Sequence, residues 1–279
     1  MAAFALAAAL VLACSTEAVT DGTLPDSGAG DATATDAAVD PAFVAQSGRA
    51  LVVQANTPIA LAKVTAGGRE TATDSEGGYS LLIPRGKPIT LKISASEHYQ
   101  FIEQEYVVDK SPYDRGDSLV LSKTTANLLK AFIGNYDDTR GLLVVKVIPM
   151  RGCASEGGTV LTMEPSGAEV RYTTGGLPGN GTSLSAGENN GALFYNITPG
   201  VPVKVLAKHP TCALMPFPVD YQGVRYTGAQ TTEAGESFSF IRVFLGPGPT
   251  ADAGPVDSGP VDSGSVDGGS ADAADSGTD

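Results

Sequence analysis

Histidine, serine and cysteine are the side chains of this sequence with the most direct chemical reactivity. The two histidines, His98 and His209, lie far apart in the chain, so a shared metal site would need two distant segments to meet. Ser75 and Ser80 have no histidine and acidic partners close by, and the Gly-x-Ser-x-Gly turn that exposes a nucleophilic serine does not occur. The sequence therefore predicts no catalytic residue, no cofactor, no metal site and no enzyme activity.

The three cysteines divide into one near the N-terminus and two in the body of the chain. Cys14 follows an apolar run of twelve residues, 2–13, which suits a signal peptide and is shorter than the roughly 20 residues that span a bilayer. A buried apolar helix with a chance cysteine is the alternative. It is disfavoured because a stretch poor in large apolar residues follows at once.

Residues 10–15, Leu-Val-Leu-Ala-Cys-Ser, resemble the lipobox of bacterial lipoproteins: branched apolar residues, a small residue, then cysteine. The resemblance implies that residues 1–14 hold a signal peptide and lipobox, and that lipidated Cys14 anchors the protein to a membrane. Ser15 in the next position favours the outer membrane over the inner. The positive charge that usually opens such a peptide is missing after Met1, which leaves open a start farther upstream.

Cys153 and Cys212 remain as an even pair in a chain whose signal directs it to an oxidising compartment. A disulfide between them is therefore predicted. Two separate buried thiols are the alternative. Oxidised cysteines are not nucleophiles, which agrees with a non-catalytic protein.

The net charge of -13 belongs to the two ends of the chain. Residues 15–47 and 246–279 hold six and seven of the 31 acidic residues and none of the 18 Lys and Arg, so the body carries 18 charges of each sign. A neutral body without a basic cluster offers nothing to neutralise phosphates. Nucleic acid is therefore excluded as a partner.

Both ends are low-complexity segments in which aspartate recurs every five residues among Gly, Ser, Pro and Ala. Such segments bury too little apolar surface to offset chain entropy. Residues 15–47 are therefore predicted to form a disordered acidic linker and residues 246–279 a disordered repeat tail. Calcium binding is the alternative, but this spacing lacks the dense oxygen ligands and terminal glutamate of a calcium loop.

Short apolar runs separated by turn residues fill the body, a pattern typical of all-β sandwiches. One series predicts a first small β-sandwich over residues 48–124, and a second series predicts another, in tandem, over residues 142–245. Residues 125–141 are predicted to be a helical or irregular connector, with Gly134 as a stop signal. Its apolar residues at helical spacing are Leu128, Leu129, Phe132 and Ile133.

Residues 57–86 resemble the carboxypeptidase regulatory-like family, a transthyretin-like β-sandwich. The shared pattern is a small-residue entry into a strand, then Thr-Asp-x-x-Gly-x-Tyr at residues 73–79, then a strand ending in Pro-x-Gly. Asp74 is expected to bond turn amides, Gly77 and Gly78 to permit positive φ, and Tyr79 to lie across the sheet edge. The match covers residues 48–122, and the second sandwich echoes it more loosely, without the Thr-Asp turn.

Members of that family serve as non-catalytic accessory or spacer modules, so the resemblance implies the same role here. The sequence thus predicts a cell-envelope lipoprotein that displays two β-sandwich modules in a structural or protein-interaction role. A surface lipoprotein that binds glycans or calcium is the alternative. An envelope protein or a glycan is then the expected partner besides the membrane.

Overall fold

The computed structural model describes residues 40–187 and 190–248. Cys14, the signal peptide, nearly all of the acidic linker and the repeat tail after Gly248 lie outside the described residues. The predictions made for them stay predictions.

The described residues form nineteen β-strands and one α-helix. In chain order they are β1 (Phe43–Val52), β2 (Lys63–Ala66), β3 (Arg69–Ala72), β4 (Gly78–Pro84), β5 (Lys92–Ser94), β6 (Gln100–Glu103), β7 (Tyr106–Val107), β8 (Tyr113–Val120), α1 (Lys123–Ile133), β9 (Gly141–Pro149), β10 (Val160–Glu164), β11 (Glu169–Thr174), β12 (Leu177–Pro178), β13 (Gly191–Ile197), β14 (Pro202–Lys208), β15 (Cys212–Leu214), β16 (Val219–Tyr221), β17 (Val224–Tyr226), β18 (Gln230–Thr231) and β19 (Ser237–Pro247). The predicted all-β class is confirmed, and the strands pack in sandwich-like layers.

One large sheet runs through both strand series in the order β12-β11-β13-β9-β19-β6-β5-β2-β3, and β15 adds to β19. Strand β19 lies between β9 and β6 and is parallel to both, so the end of the second series joins the sheet of the first. Three smaller sheets accompany it: β4-β1-β8, β10-β14-β18 and β16-β17-β7. The two predicted sandwiches therefore share strands and are not linked by the connector alone.

Two hydrophobic clusters lie on opposite faces of this large sheet. Along β19, Phe240 and Phe244 belong to the first cluster, whereas the alternate residues Ile241 and Val243 belong to the second. Sheet β4-β1-β8 and helix α1 contribute to the first cluster, and β10 and β14 contribute to the second. Because β19 is buried on both faces, its sequence reads as a nearly continuous apolar run.

The folded body begins earlier than the sequence pattern indicated. Strand β1 starts at Phe43, so residues 43–47, assigned to the linker, pair with β4 instead. Gln46 within this segment is completely buried. The linker prediction is wrong for these residues. Burial alternates along the strand, and one of the buried positions is the polar Gln46, so a pattern based on apolar residues alone did not indicate the strand.

Helix α1 starts two residues before the predicted segment. The Ser122 side chain caps it by accepting a hydrogen bond from the Thr125 amide at 3.1 Å, and Gly134 ends it with φ 87°. Its buried residues are Ala126, Leu129 and Ile133, whereas Leu128 and Phe132 are exposed. Within the described residues, no helix has the length and apolar character needed to cross a bilayer.

Candidate functional site

A β-bulge in strand β8 sets up the most unusual group of side chains in the structure. The pairing of β1 with β8 shifts register between Ser47 and Arg49, and Gly116 at the bulge has φ 72°. The extra residue brings Arg115 and Ser118 to the same interior side, although three positions separate them. Regular alternation would have placed the two side chains on opposite faces.

Glu103, Arg115 and Arg242 form a buried ion network between the layers. Arg115 donates to Glu103 through Nε–Oε2 at 2.7 Å and Nη2–Oε1 at 2.6 Å, and Arg242 Nη1 donates to Oε1 at 2.6 Å. The Glu103 side chain is fully buried, and the two arginine side chains are 8% and 9% exposed. The network connects three strands, β6, β8 and β19, across the first core.

Burial and charge act in opposite directions on the ionisation of this network. Burial alone would raise the pKa of Glu103, but the guanidinium groups of Arg115 and Arg242 outweigh it and hold that pKa below its usual value. Burial raises the pKa of Tyr79 to about 12, and it also raises the pKa of Tyr106. The carboxylate is therefore ionised and the surrounding phenols are neutral at pH 7.

Further polar side chains around the network are buried with incomplete hydrogen bonding. Tyr106 donates its hydroxyl to Gln46 Oε1 at 3.0 Å. The hydroxyls of Tyr79 and Ser118 lie close enough to influence each other, yet among the described residues neither reaches a partner in full hydrogen-bond geometry. Buried hydroxyls without partners are uncommon and costly, so this interior has unused hydrogen-bonding capacity.

An apolar cleft of about 50 Å³ opens beside the network. Arg115, Ser118 and Arg242 contribute the polar part of its lining, together with Asp117. Its remaining walls are apolar side chains from both layers and from α1, among them Phe101, Leu119, Leu129, Val144, Leu193 and Phe240. The cleft thus joins a charged end to an apolar wall.

The predicted disulfide is confirmed, with Cys153 and Cys212 bonded and their Cα atoms 5.5 Å apart. His209 packs beside it: its Nδ1 accepts from the backbone amides of Thr211 and Cys212, and its Nε2 lies 2.8 Å from the Gly157 carbonyl. Among the described residues these two cysteines and His209 are the only group of potential metal ligands close to one another. Both ring nitrogens are already held by backbone groups, which makes His209 a support for the disulfide loop.

The other candidate residues of the sequence lie apart from this network. His98 Nδ1 lies 2.7 Å from the Ser96 carbonyl in a turn before β6, and Ser75 and Ser80 are exposed. Among the described residues, no hydrogen bond joins His98, Ser75 or Ser80 to one another or to His209. Their positions are those of ordinary surface residues.

The Thr-Asp turn of residues 73–79 has much of the geometry expected of it. Asp74 Oδ1 accepts from the amides of Glu76 at 2.9 Å and Gly78 at 2.8 Å, and Gly77 has φ 75°. Gly78, however, does not have a positive φ; its hydrogen faces the Asp74 carboxylate, where a Cβ would lie 2.8 Å from Oδ2. Tyr79, in the edge strand β4, is buried in the first hydrophobic cluster.

A second and larger cavity, about 430 Å³, lies near the start of β9 and the end of β13. The polar side chains that line it are largely hydrogen-bonded to neighbouring protein groups. Asn196, with φ 60°, accepts from the Asp137 amide at 2.9 Å and donates to Glu169 at 3.0 Å, while Arg140 donates to Thr198 at 2.9 Å. This polar cup is open and exposed, unlike the apolar cleft.

Sequence reasoning did not single out Glu103, Arg115 or Arg242. A signal was present in two of the three cases, because Glu103 follows Phe101 and Ile102, and Arg242 interrupts the apolar run of β19. A lone charge inside a buried strand requires a partner. Nothing in the sequence near Arg115 indicated that it turns inward.

Comparison with solved structures finds distant similarities. The Bacillus anthracis TIE protein matches at 12% identity and TM-score 0.23 over 74% of this chain and 34% of its own. A streptococcal ancillary pilin matches at 10% identity and TM-score 0.23 over 75% of this chain and 64% of its own. The minor pilin of Streptococcus agalactiae matches at 11% identity and TM-score 0.23 over 76% of this chain and 100% of its own.

This chain therefore spans about a third of the Bacillus protein and just under two thirds of the ancillary pilin. No protein-family model and no curated protein matches the sequence. At these values the similarities assign the chain to no family.

Proposed function

We propose that this chain is a non-catalytic cell-envelope lipoprotein, anchored through Cys14, whose β-sheet body has a structural or protein-interaction role. The observation that supports it best is the continuity of the body. Strand β19 joins both strand series in one sheet, and the Glu103 network ties that sheet to β8 in the opposite layer. Such cross-links favour a rigid body on which surface loops can present contacts.

The anchoring part of the proposal rests on residues outside the described ranges and is tested by membrane fractionation. Wild-type protein is expected in the membrane pellet after a high-salt wash, and Cys14→Ala in the soluble fraction, because two acyl chains give stable anchoring. Ser15→Ala is the matched control and should stay in the pellet. Cys14→Ala protein that still pelleted with membranes would refute the lipid anchor.

Membership in the carboxypeptidase regulatory-like family is part of the same proposal. The Asp74 turn supports it, since its carboxylate organises the two amides that the family pattern requires. A second structural test is available: Asp74→Asn retains an acceptor oxygen and should keep the turn, whereas Asp74→Ala loses both bonds. A thermal melt in which both variants matched wild type would remove this support.

Glycan binding is the second candidate function, and the polar cup favours it by its size and its lining of amide, hydroxyl and charged groups. A glycan array on the full-length chain, repeated with calcium, tests it. Binding that Arg140→Ala abolishes and Arg225→Ala preserves would establish the cup as the site. An array without hits at either calcium level would leave the structural role as the proposed function.

A further inference from the structure

We propose that Asn180 and Gly181 form a self-modifying site, at which Asn180 loses ammonia through a cyclic imide and becomes aspartate or isoaspartate. The dipeptide Asn-Gly occurs twice in the chain, at 180–181 and at 190–191. It is especially prone to this reaction, because glycine carries no Cβ that would hinder attack by its own amide nitrogen. The two copies lie in opposite environments in the fold.

The first copy lies in an exposed loop that follows β12. Backbone hydrogen bonds of 2.8 Å from the amides of Gly179 and Leu184 to carbonyls of neighbouring segments hold the two ends of this loop. Residues 180–182 between these bonds are exposed. Within the described part of the chain, no hydrogen bond engages the Gly181 amide or the Nδ2 group of Asn180. The nitrogen that attacks and the nitrogen that leaves are therefore both available.

Arg171 in β11 makes the Asn180 side chain more reactive. Its Nη1 donates to Asn180 Oδ1 at 3.3 Å. A cation at this oxygen stabilises the negative charge that develops there when the amide carbon is attacked. The same guanidinium favours the product, because a carboxylate at position 180 pairs with it more strongly than a neutral amide oxygen does.

The second copy, Asn190 with Gly191, is held by hydrogen bonds. Asn190 is only 6% exposed; its Nδ2 donates to two backbone carbonyls at 3.1 and 2.9 Å, and its Oδ1 accepts from the Gly175 amide at 2.9 Å. The Gly191 amide donates to the buried Thr173 hydroxyl at 2.8 Å. Closing an imide there would break these hydrogen bonds in the protein interior, so Asn190 should be unreactive while the protein is folded.

The reaction needs no partner other than water. The Gly181 amide nitrogen loses its proton and bonds to Asn180 Cγ, the Cγ–Nδ2 bond breaks, and ammonia leaves. Water then opens the imide at Cγ to give aspartate, or at the main-chain carbonyl carbon to give isoaspartate, which lengthens the backbone by one carbon atom. Either product carries a negative charge that Asn180 lacks. The loop therefore exists in an unmodified and a modified form, and their ratio reports the age of the chain.

Incubation of the full-length chain at mildly alkaline pH, followed by peptide mass spectrometry with fragmentation, tests the proposal. In the folded protein we expect a mass gain of about 1 Da at position 180, with release of ammonia, and no gain at position 190. Gly181→Ala should slow the reaction about tenfold or more, because its Cβ hinders the attack. That Cβ fits the loop, since it would meet nothing closer than 3.4 Å. Gly179→Ala is the matched control and should react as fast as wild type.

Unfolding in guanidinium chloride separates the effect of the fold from that of the dipeptide. Both copies should then deamidate at similar rates, because the hydrogen bonds around Asn190 and Gly191 are lost. In the folded protein, an unmodified Asn180, equal rates at the two positions, or a Gly181→Ala variant as fast as wild type would each overturn the proposal. Protection of Asn190 that persisted in the denaturant would overturn the protective role of the fold.

Discussion

Arg115 and Glu103 meet across the two layers of the first core, through Nε–Oε2 at 2.7 Å and Nη2–Oε1 at 2.6 Å. Their strands lie in different sheets, so this two-point contact connects elements that no backbone hydrogen bond joins. The parallel geometry of a guanidinium on a carboxylate also fixes orientation. The pair therefore links sheet β4-β1-β8 to the large sheet, in addition to the first hydrophobic cluster that lies between them.

Glu103→Gln should strongly destabilise the protein. The substitution removes the buried carboxylate to which both Arg115 and Arg242 donate, and breaking a buried ion pair by removing one partner typically costs about 3–5 kcal/mol. Urea denaturation at pH 7 measures the effect. Asp117→Asn, which breaks a more exposed pair with Arg49, should cost no more than about 1 kcal/mol.

Wild type and Glu103→Gln also provide a test of the pH dependence of stability. Because the pKa of Glu103 is lowered on folding, its contribution is present above its ordinary value of 4.5 and is lost as the pH falls through the folded pKa. The stability difference between wild type and Glu103→Gln should therefore narrow only below pH 4.5. A difference that narrowed near neutral pH would contradict an ionised Glu103.

The disulfide should contribute a large share of the stability of the second core. It closes a loop of 59 residues, and the chain-entropy estimate for such a loop is up to about 4 kcal/mol. The double variant Cys153→Ala, Cys212→Ala should unfold at correspondingly lower urea concentration. Wild type in reducing buffer is the control and should approach the double variant. Equal midpoints for oxidised wild type and the double variant would show that the bridge adds nothing.

Gly48→Ala should be destabilising for a steric reason. A Cβ at this position would lie 2.6 Å from the Tyr79 hydroxyl and 2.9 Å from the Gly116 carbonyl, at the bulge that turns Arg115 inward. We expect a loss of about 1–3 kcal/mol, as for other overpacked sites. Gly179→Ala is the control, because its new Cβ would meet nothing closer than 3.7 Å. Similar melting temperatures for the two variants would contradict the close packing at Gly48.

Tyr79 should make the protein sensitive to alkali. Burial raises its pKa from 10.0 to about 12, so its contribution to stability is present below pH 10 and is lost as the pH rises towards 12. Tyr79→Phe cannot ionise and should lose less stability than wild type between these values. Thermal melts at pH 9 and pH 11 provide the comparison. Parallel losses in both proteins would show that Tyr79 does not carry the effect.

Local features of the structure were predictable from the sequence. The Asp74 turn depends on residues within five positions of one another, and the even pair Cys153 and Cys212 left a single pairing in the body. The helix was also predicted, because Gly134 and the apolar spacing act within a few turns. The turn and the helix depend on contacts between residues close in sequence, and the disulfide had only one possible pairing within the body.

Features that depend on distant segments were not predictable. The inward direction of Arg115 follows from a bulge opposite Gly48, which lies in another strand. Residues 110–118 contain Pro112, Gly116 and two aspartates, which are typical of turns and hide the strand. The position of β19 between β6 and β9 depends on two parallel pairings that leave no periodic signal. The sequence therefore predicted two strand series but not the sheet that they share.

The central place of β19 has a consequence for the order of synthesis. It is the last described strand to leave the ribosome, yet it fills the gap between β9 and β6. Until residues 237–247 arrive, the two parts of the large sheet each keep an open edge, and their pairing must wait for the most distant contacts in the chain. A nascent chain of this kind therefore remains incompletely folded until its last described strand has been synthesised.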